Sequence, residues 1–364
     1  MVATPTERAL PVGLPRATLV LVAAAAAVVV VAGMRGASSL LAPAFLALVL
    51  TIVAHPLRRW LDRWMPSWCA STVCILVVYV GVVLFALSVV VSVARFGGLL
   101  PSYSDELQHR LDTVVRWLHD LGVGEKQVEQ ATSSFDVGWL GGFVADLLGE
   151  LKGLVSNLFF ILSLVLFMTM DGGSFPRQLE RARAAKPHVV DAFTDFASGT
   201  RRYLAVSTVF GLIVAVFDTI ALYLLGVPLP LTWGLLAFIT NYIPNIGFVI
   251  GLVPPAILAL LEGGPTLMIA VIVIYCVLNV VIQSVIQPKV VGDSVGLSTT
   301  LSFFSLVFWT WVIGPLGALL AIPLTLLVKT LFVDTDPAAR WLRPLISNKD
   351  EELDPGASQA SPGS

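Results

Sequence analysis

Between residues 203 and 328 the chain is almost free of charge, yet proline and glycine interrupt it twice in matching ways. The first interruption reads Asn241-Tyr242-Ile243-Pro244-Asn245-Ile246-Gly247, with Pro254-Pro255 following. The second reads Trp311-Val312-Ile313-Gly314-Pro315-Leu316-Gly317, with Pro323 following. Apolar helices broken at corresponding places of two half-repeats are a sequence mark of a substrate pathway in secondary transporters.

Hydrophobic residues make up 57% of the chain and charged residues 13%, about half the charge of a soluble domain. With a mean hydropathy of +0.88, the chain reads as a polytopic membrane protein whose partner on most faces is the lipid bilayer. A formal charge of −2 gives no case for nucleic acid. Cys74 and Cys276 lie within apolar runs and Cys69 at the edge of one, without the paired spacing of a disulfide or metal cluster. None of His55, His109, His119 and His188 falls inside an apolar segment. The HExxH and P-loop motifs are absent from the sequence. An enzyme, an ATP-driven pump and an intramembrane metalloprotease are therefore disfavoured, and no cofactor or metal is expected.

The chain divides by character. Residues 1–94 hold three apolar runs, 17–33, 37–54 and 70–94, each near the ~20 residues that cross a bilayer core. The first two read as a retained anchor and a helical hairpin rather than a cleaved signal. Residues 95–150 carry nine acidic and four basic side chains. There Leu107, Leu111, Val114, Leu118 and Leu121 form one helical stripe, which predicts an extracytoplasmic amphipathic insert, packed on its own protein or bilayer or against another subunit. Residues 151–202 pair a span (151–170) with a basic segment in which Val189, Phe193 and Phe196 share a face. That segment reads as a cytoplasmic amphipathic helix at the interface. Residues 203–331 form the transport core, and 332–364 a disordered cytoplasmic tail. Arg58, Arg59 and Arg63, with the basic residues of 171–202 and Lys329, Arg340, Arg343 and Lys349, place both termini in the cytoplasm.

The expected fold is thus all-α, with six full transmembrane helices plus two broken segments, 231–261 and 299–331. As single helices these would be ~48 Å long, too long for one untilted crossing and too short for two. Re-entrant hairpins and kinked crossings both fit. Proline removes a helical hydrogen bond, so the backbone freed around Pro244, Gly247, Gly314, Pro315 and Gly317 must find water, protein or a ligand. Pro244 and Pro315 are 71 positions apart, Pro254 and Pro323 69, which suggests an inverted repeat of 203–261 and 266–331.

Few polar groups remain in this core. Asp218 is the one acid well inside a span, and an intramembrane carboxylate marks an ion or proton route by default; the alternative is a structural carboxyl paired with Thr or backbone. Asn279, Gln283 and Gln287 recur every fourth residue on one face, as a polar path or as hydrogen-bonding glue between helices. Asn241 and Asn245 flank the first break, where they serve either a solute or the broken backbone.

The runs Tyr242-Ile243-Pro244-Asn245-Ile246-Gly247 and Pro254-Pro255, then Gln287-Pro288-Lys289-Val290-Val291-Gly292, then Gly317-Ala318-Leu319-Leu320-Ala321-Ile322-Pro323, resemble the autoinducer-2 exporter family of bacterial membrane permeases. The order of features agrees over nearly the whole chain. Ser298-Thr299 departs from the proline that members often carry there. The resemblance implies a secondary permease of the bacterial inner membrane that works without ATP, as a homo-oligomer. Members are linked to export of a quorum-sensing furanone or to cation/proton antiport, so the resemblance leaves the solute open between a small polar molecule and a cation. A passive oligomeric channel and a non-transporting membrane scaffold are the alternatives.

Overall fold

The computed structural model describes residues 15–99, 137–172, 175–244, 246–287 and 297–335. Among these, all regular structure is helical. In chain order the elements are α1 (Arg16–Gly36), α2 (Ser38–Leu61), α3 (Ser67–Leu99), α4 (Val137–Asp171), α5 (Phe175–Arg183), α6 (Pro187–Leu224), α7 (Pro230–Thr240), α8 (Gly247–Asn279), α9 (Thr299–Ile313), α10 (Pro315–Leu319) and α11 (Ala321–Lys329). A π-helical stretch, Val280–Ile286, prolongs α8, and a second, Thr330–Asp334, closes α11.

Stretches long and apolar enough to cross a bilayer are Ser38–Leu61, Ser67–Ser92, Pro187–Leu224 and Gly247–Ile286; shorter apolar helices are Val20–Gly36, Ser156–Asp171, Pro230–Thr240 and Thr299–Ile313. The chain is an all-α polytopic membrane protein. Its helices differ in depth within the protein. The most apolar stretch of α6 is 44% buried and that of α3 only 6%, so α6 is central and α3 peripheral.

One packing unit joins α2, α3 and α4. Ala47, Ile161 and Val165 are buried together, with Val78 and Tyr79 against them, and the Tyr79 hydroxyl donates to the Leu162 carbonyl. Buried Arg58 donates to the Thr169 carbonyl in the last turn of α4, where helical carbonyls lack partners of their own.

The broken segments are two helical hairpins. In the first, α7 leads in to the tip and the start of α8 returns beside it. A Cβ built on Gly247 would lie 1.9 Å from the Thr240 carbonyl oxygen, and one on Gly251 3.4 Å from the Ala237 Cα. Only glycine at 247 lets the arms approach this closely. In the second, α9 leads in to the tip and α10–α11 returns. A Cβ on Gly317 would lie 2.0 Å from the Trp309 carbonyl oxygen, and the Trp309 indole N–H donates to Thr325 Oγ1 at 3.0 Å.

Two Gly-Pro steps set the remaining breaks. Gly264 (φ 74°, ψ −167°) splits α8 in two before Pro265, and Gly314 (φ 76°, ψ −158°) separates α9 from Pro315. Only glycine enters that backbone region readily, and proline suits the first position of the helix that follows. At 1.5 Å per residue α7 is about 16 Å long, the first arm of α8 (247–263) about 25 Å, and α9 and the α10–α11 arm about 22 Å each, all shorter than a ~30 Å hydrocarbon core. Each half of the core is therefore one long helix followed by one hairpin: α6 then α7–α8, and 265–286 then α9–α11.

Several expectations are corrected. A single residue, Ala37 (φ −100°, ψ 13°), joins α1 to α2, with helix-like bonds on both sides from Ala37 N–H to Gly33 O and from Leu41 N–H to Ala37 O. The chain bends there, and so short a link leaves no turn for the expected hairpin. Residues 187–202 are not a separate surface helix but the first part of α6, with Val190, Ala192 and Phe196 buried. α4 begins at Val137, well before the expected 151. The stripe Leu107–Leu121 and most of the tail lie outside the described residues.

Candidate transport site

A small polar cavity lies where α6, α7 and both arms of α8 meet. Val214 and Asp218 come from α6, and Ala237, Thr240 and Asn241 from the end of α7. Phe248 and Gly251 come from the first arm of α8, and Tyr275, Asn279 and Gln283 from the second. The space open to the centre of a water molecule is about 10 Å³, room for one water-sized guest.

Local sequence explains each placement. Asp218 stands on the buried stripe of α6 with Ser207, Gly211, Val214 and Leu222. Asn241 follows α7 directly, and its amide occupies the space beside Gly211, where a Cβ would meet Asn241 Nδ2 at 2.7 Å. Tyr275, Asn279 and Gln283 succeed one another at steps of four along the second arm of α8. Gln283 lies inside the π-helical stretch, a distortion that recurs at functional sites.

The amides form one chain. Gln283 Nε2 donates to Asn241 Oδ1 and to Asn279 Oδ1, both at 2.8 Å. Asn241 Nδ2 donates to the Ser207 carbonyl at 2.7 Å, and Asn279 Nδ2 to the Tyr275 carbonyl at 2.9 Å. All three amide nitrogens are thus directed at protein oxygens. Asp218 differs: it is 0% exposed, and neither carboxylate oxygen has a hydrogen-bond partner. The Tyr275 hydroxyl, also buried, is likewise unpaired. The amide nitrogens are engaged while the Asp218 carboxylate is not, so the cavity suits a cation, a proton or water better than an anion. Among the described residues no three His, Cys, Asp or Glu side chains come together as a metal site.

Of the residues singled out in the sequence, Asp218, Asn241, Asn279 and Gln283 converge on this cavity. Gln287 is half-buried and does not line it, and Asn245 lies outside the described residues. Pro244, Gly247, Gly314, Pro315 and Gly317 shape the two hairpin tips and do not line the cavity either. Among the described residues, the backbone at the tips finds protein partners. Ile243 N–H bonds Thr240 O, Ile246 N–H bonds Pro244 O and Gly247 N–H bonds Ile243 O. The Tyr242 carbonyl accepts from the Tyr203 hydroxyl at 2.8 Å. At the second tip Gly314 N–H bonds Thr310 O and Gly317 N–H bonds Gly314 O. Tight turns need no outside ligand, so the polar site forms from side chains beside the first tip instead.

Sequence reasoning missed Tyr275, Thr240 and Gly211. Tyr275 was within reach, since it extends the Asn279–Gln283 stripe by one turn. Gly211 carries no local signal; its role comes from the amide that crosses to it from α7.

The profile of the AI-2E family transporter group matches residues 18–335. The AI-2 transport protein TqsA of Escherichia coli (strain K12) is 28% identical over 321 residues, covering 88% of this chain and 93% of its own. The putative transport protein YhhT of the same strain is 30% identical over 326 residues, covering 89% and 91%. A putative transport protein of Haemophilus influenzae is 29% identical over 316 residues, covering 85% and 91%. A match of this extent, on a helical membrane core with paired broken segments, makes the chain a member of the AI-2E family of transporters.

Proposed function

We propose that the protein is a secondary transporter of a small polar solute or cation, working by alternating access, with Asp218 as the group that couples transport to a proton or cation. One observation carries this: a fully buried, unpartnered carboxylate beside a water-sized polar cavity in the central helix. A charge held this way in a membrane is costly and needs a counter-charge that comes and goes. Asn241, Asn279 and Gln283 hold the cavity walls, and Tyr275 offers its hydroxyl to the same guest.

The two long-helix-plus-hairpin units act as an inverted repeat, with hairpin tips inside the membrane. The bulk of Lys and Arg on the loops after α2 and α4 favours placing these loops, and with them the C-terminus, on the cytoplasmic side of a bacterial inner membrane. The exposed apolar face of α3, including Leu76, Val80 and Leu84, is open to lipid or to a second copy in a homo-oligomer. The relative TqsA is named for AI-2. A furanone exceeds the present cavity, so such a solute would need a wider conformation than this one.

The test is flux in reconstituted vesicles across a range of pH and with imposed sodium or potassium gradients. Asp218→Asn should abolish the pH or cation dependence while leaving expression and oligomer size intact. Unchanged dependence removes Asp218 from the mechanism. Cysteine labelling at Lys289 or Asp293 from each side tests whether the hairpins are re-entrant, which leaves this loop cytoplasmic; labelling from outside overturns that reading.

A further inference from the structure

We infer that in the conformation described here Asp218 is open toward one side only: a polar route leads from it past Asn279, Gln283 and Asn241 to Ser207, Tyr203 and Thr200, ending at the Arg201–Arg202 end of the bundle. The inference rests on the reading of this cavity as the coupling site and adds its direction.

The polar groups around Asp218 are not spread evenly. Asn241 reaches the Ser207 carbonyl of α6, eleven residues before Asp218, which is ~16 Å along the helix. Gln283, bonded to Asn241, lies at the same level. The wall of the cavity therefore runs from Asp218 and Tyr275 at one end to Asn241 and Gln283 at the other. Beyond it, the Tyr203 hydroxyl donates to the Tyr242 carbonyl, and the Tyr242 and Thr208 hydroxyls bond each other at 2.7 Å. Thr200 continues the line. It is 0% exposed, and its hydroxyl has no partner.

Helical geometry ties these positions together. Thr200, Ser207 and Asp218 fall within about 20° of one another around α6 at ~100° per residue, so they form one buried polar stripe. Residues of this kind cost free energy inside a membrane protein unless water or a partner reaches them. The opposite direction from Asp218 is mainly apolar. Leu222, Val227, Trp233, Leu252, Ala256, Leu258, Ala259, Leu261 and Val271 close it as one packed cluster. The cluster begins only a turn beyond Asp218. Its polar groups are the Tyr275 hydroxyl, which faces the cavity itself, and the indole of Trp233, which is bonded to the Pro228 carbonyl; beside it the Thr219 hydroxyl is bonded to the Ala215 carbonyl of its own helix.

Side-specific labelling tests this on the full chain with Cys69, Cys74 and Cys276 replaced by alanine. Single cysteines are placed as Ser207→Cys, Thr200→Cys and Ala259→Cys. Arg63→Cys lies in the exposed turn after α2; since His55 near the end of α2 feels the charge of Arg201, this cysteine reports which side the Arg201 end faces. A small membrane-impermeant methanethiosulfonate is applied to right-side-out and inside-out vesicles. The expected result is that Ser207→Cys and Thr200→Cys react only in the preparation in which Arg63→Cys reacts. Reaction only in the opposite preparation overturns the inference. So does silence of both in protein of normal unfolding temperature, or labelling of Ala259→Cys from the Arg63 side. Loss of pH dependence in Asp218→Asn is read separately, so failure of the coupling role and failure of the route are distinguishable.

Discussion

The two hairpins share a design and differ in what surrounds them. In each, a glycine backs onto a carbonyl of the facing arm, Gly247 on Thr240 and Gly317 on Trp309, 70 positions apart in the chain. The first hairpin packs against Asp218, Asn279 and Gln283 and bounds a polar cavity. The second, with Trp309, Val312, Ile313 and Leu320, is sunk in an apolar cluster with Ala42, Phe45 and Val49 of α2. Tyr242, Ile243 and Ile246 of the first tip pack against that same cluster, so the tips meet on a greasy seam. The comparison teaches that a Pro/Gly break specifies a hairpin but not a site. Chemistry enters only where polar side chains from neighbouring helices converge on it.

The sharpest way to break this contrast is Asp218→Asn, which should remove coupled flux altogether with little change in unfolding temperature; flux at the original pH dependence would make the two hairpins functionally alike. Next in size are Gly247→Ala and Gly317→Ala. Each forces a methyl onto backbone, and each should destabilise the purified protein by about 3 kcal/mol or more, read as a lowered unfolding temperature in detergent. Similar losses at both sites would confirm the shared design. Asn241→Leu cuts the amide chain and strands Gln283, at a cost of about 1–3 kcal/mol, and should also reduce flux. Smallest is Trp309→Phe in the second hairpin. Losing the bond to Thr325 should cost about 0.5–1.5 kcal/mol and leave flux unchanged; a flux defect there would place function in both hairpins.

Much of this was legible in the sequence. Hydropathy gave the spans, and the two breaks fall where proline and glycine put them. Asp218, Asn241, Asn279 and Gln283 were each visible as polar residues in oily surroundings, though only the fold shows that they share one cavity. The misses have physical causes. The charges of 171–202 looked like a surface helix, but helical hydrogen bonding continues through them into α6 because Pro187 opens a helix rather than closing one. The bend at Ala37 has no proline or glycine at the joint to announce it. The self-bonded tips were hidden because proline predicts that a helical bond is lost, not which turn bond replaces it.

The glycine-to-carbonyl contacts have a mechanical consequence. With no side chain between the arms at these points, neither arm can slide along its neighbour without a backbone collision. Each hairpin is then suited to travel as a rigid lever, and movement of one relative to the other falls to the apolar cluster against which Ile246 and Leu316 both pack.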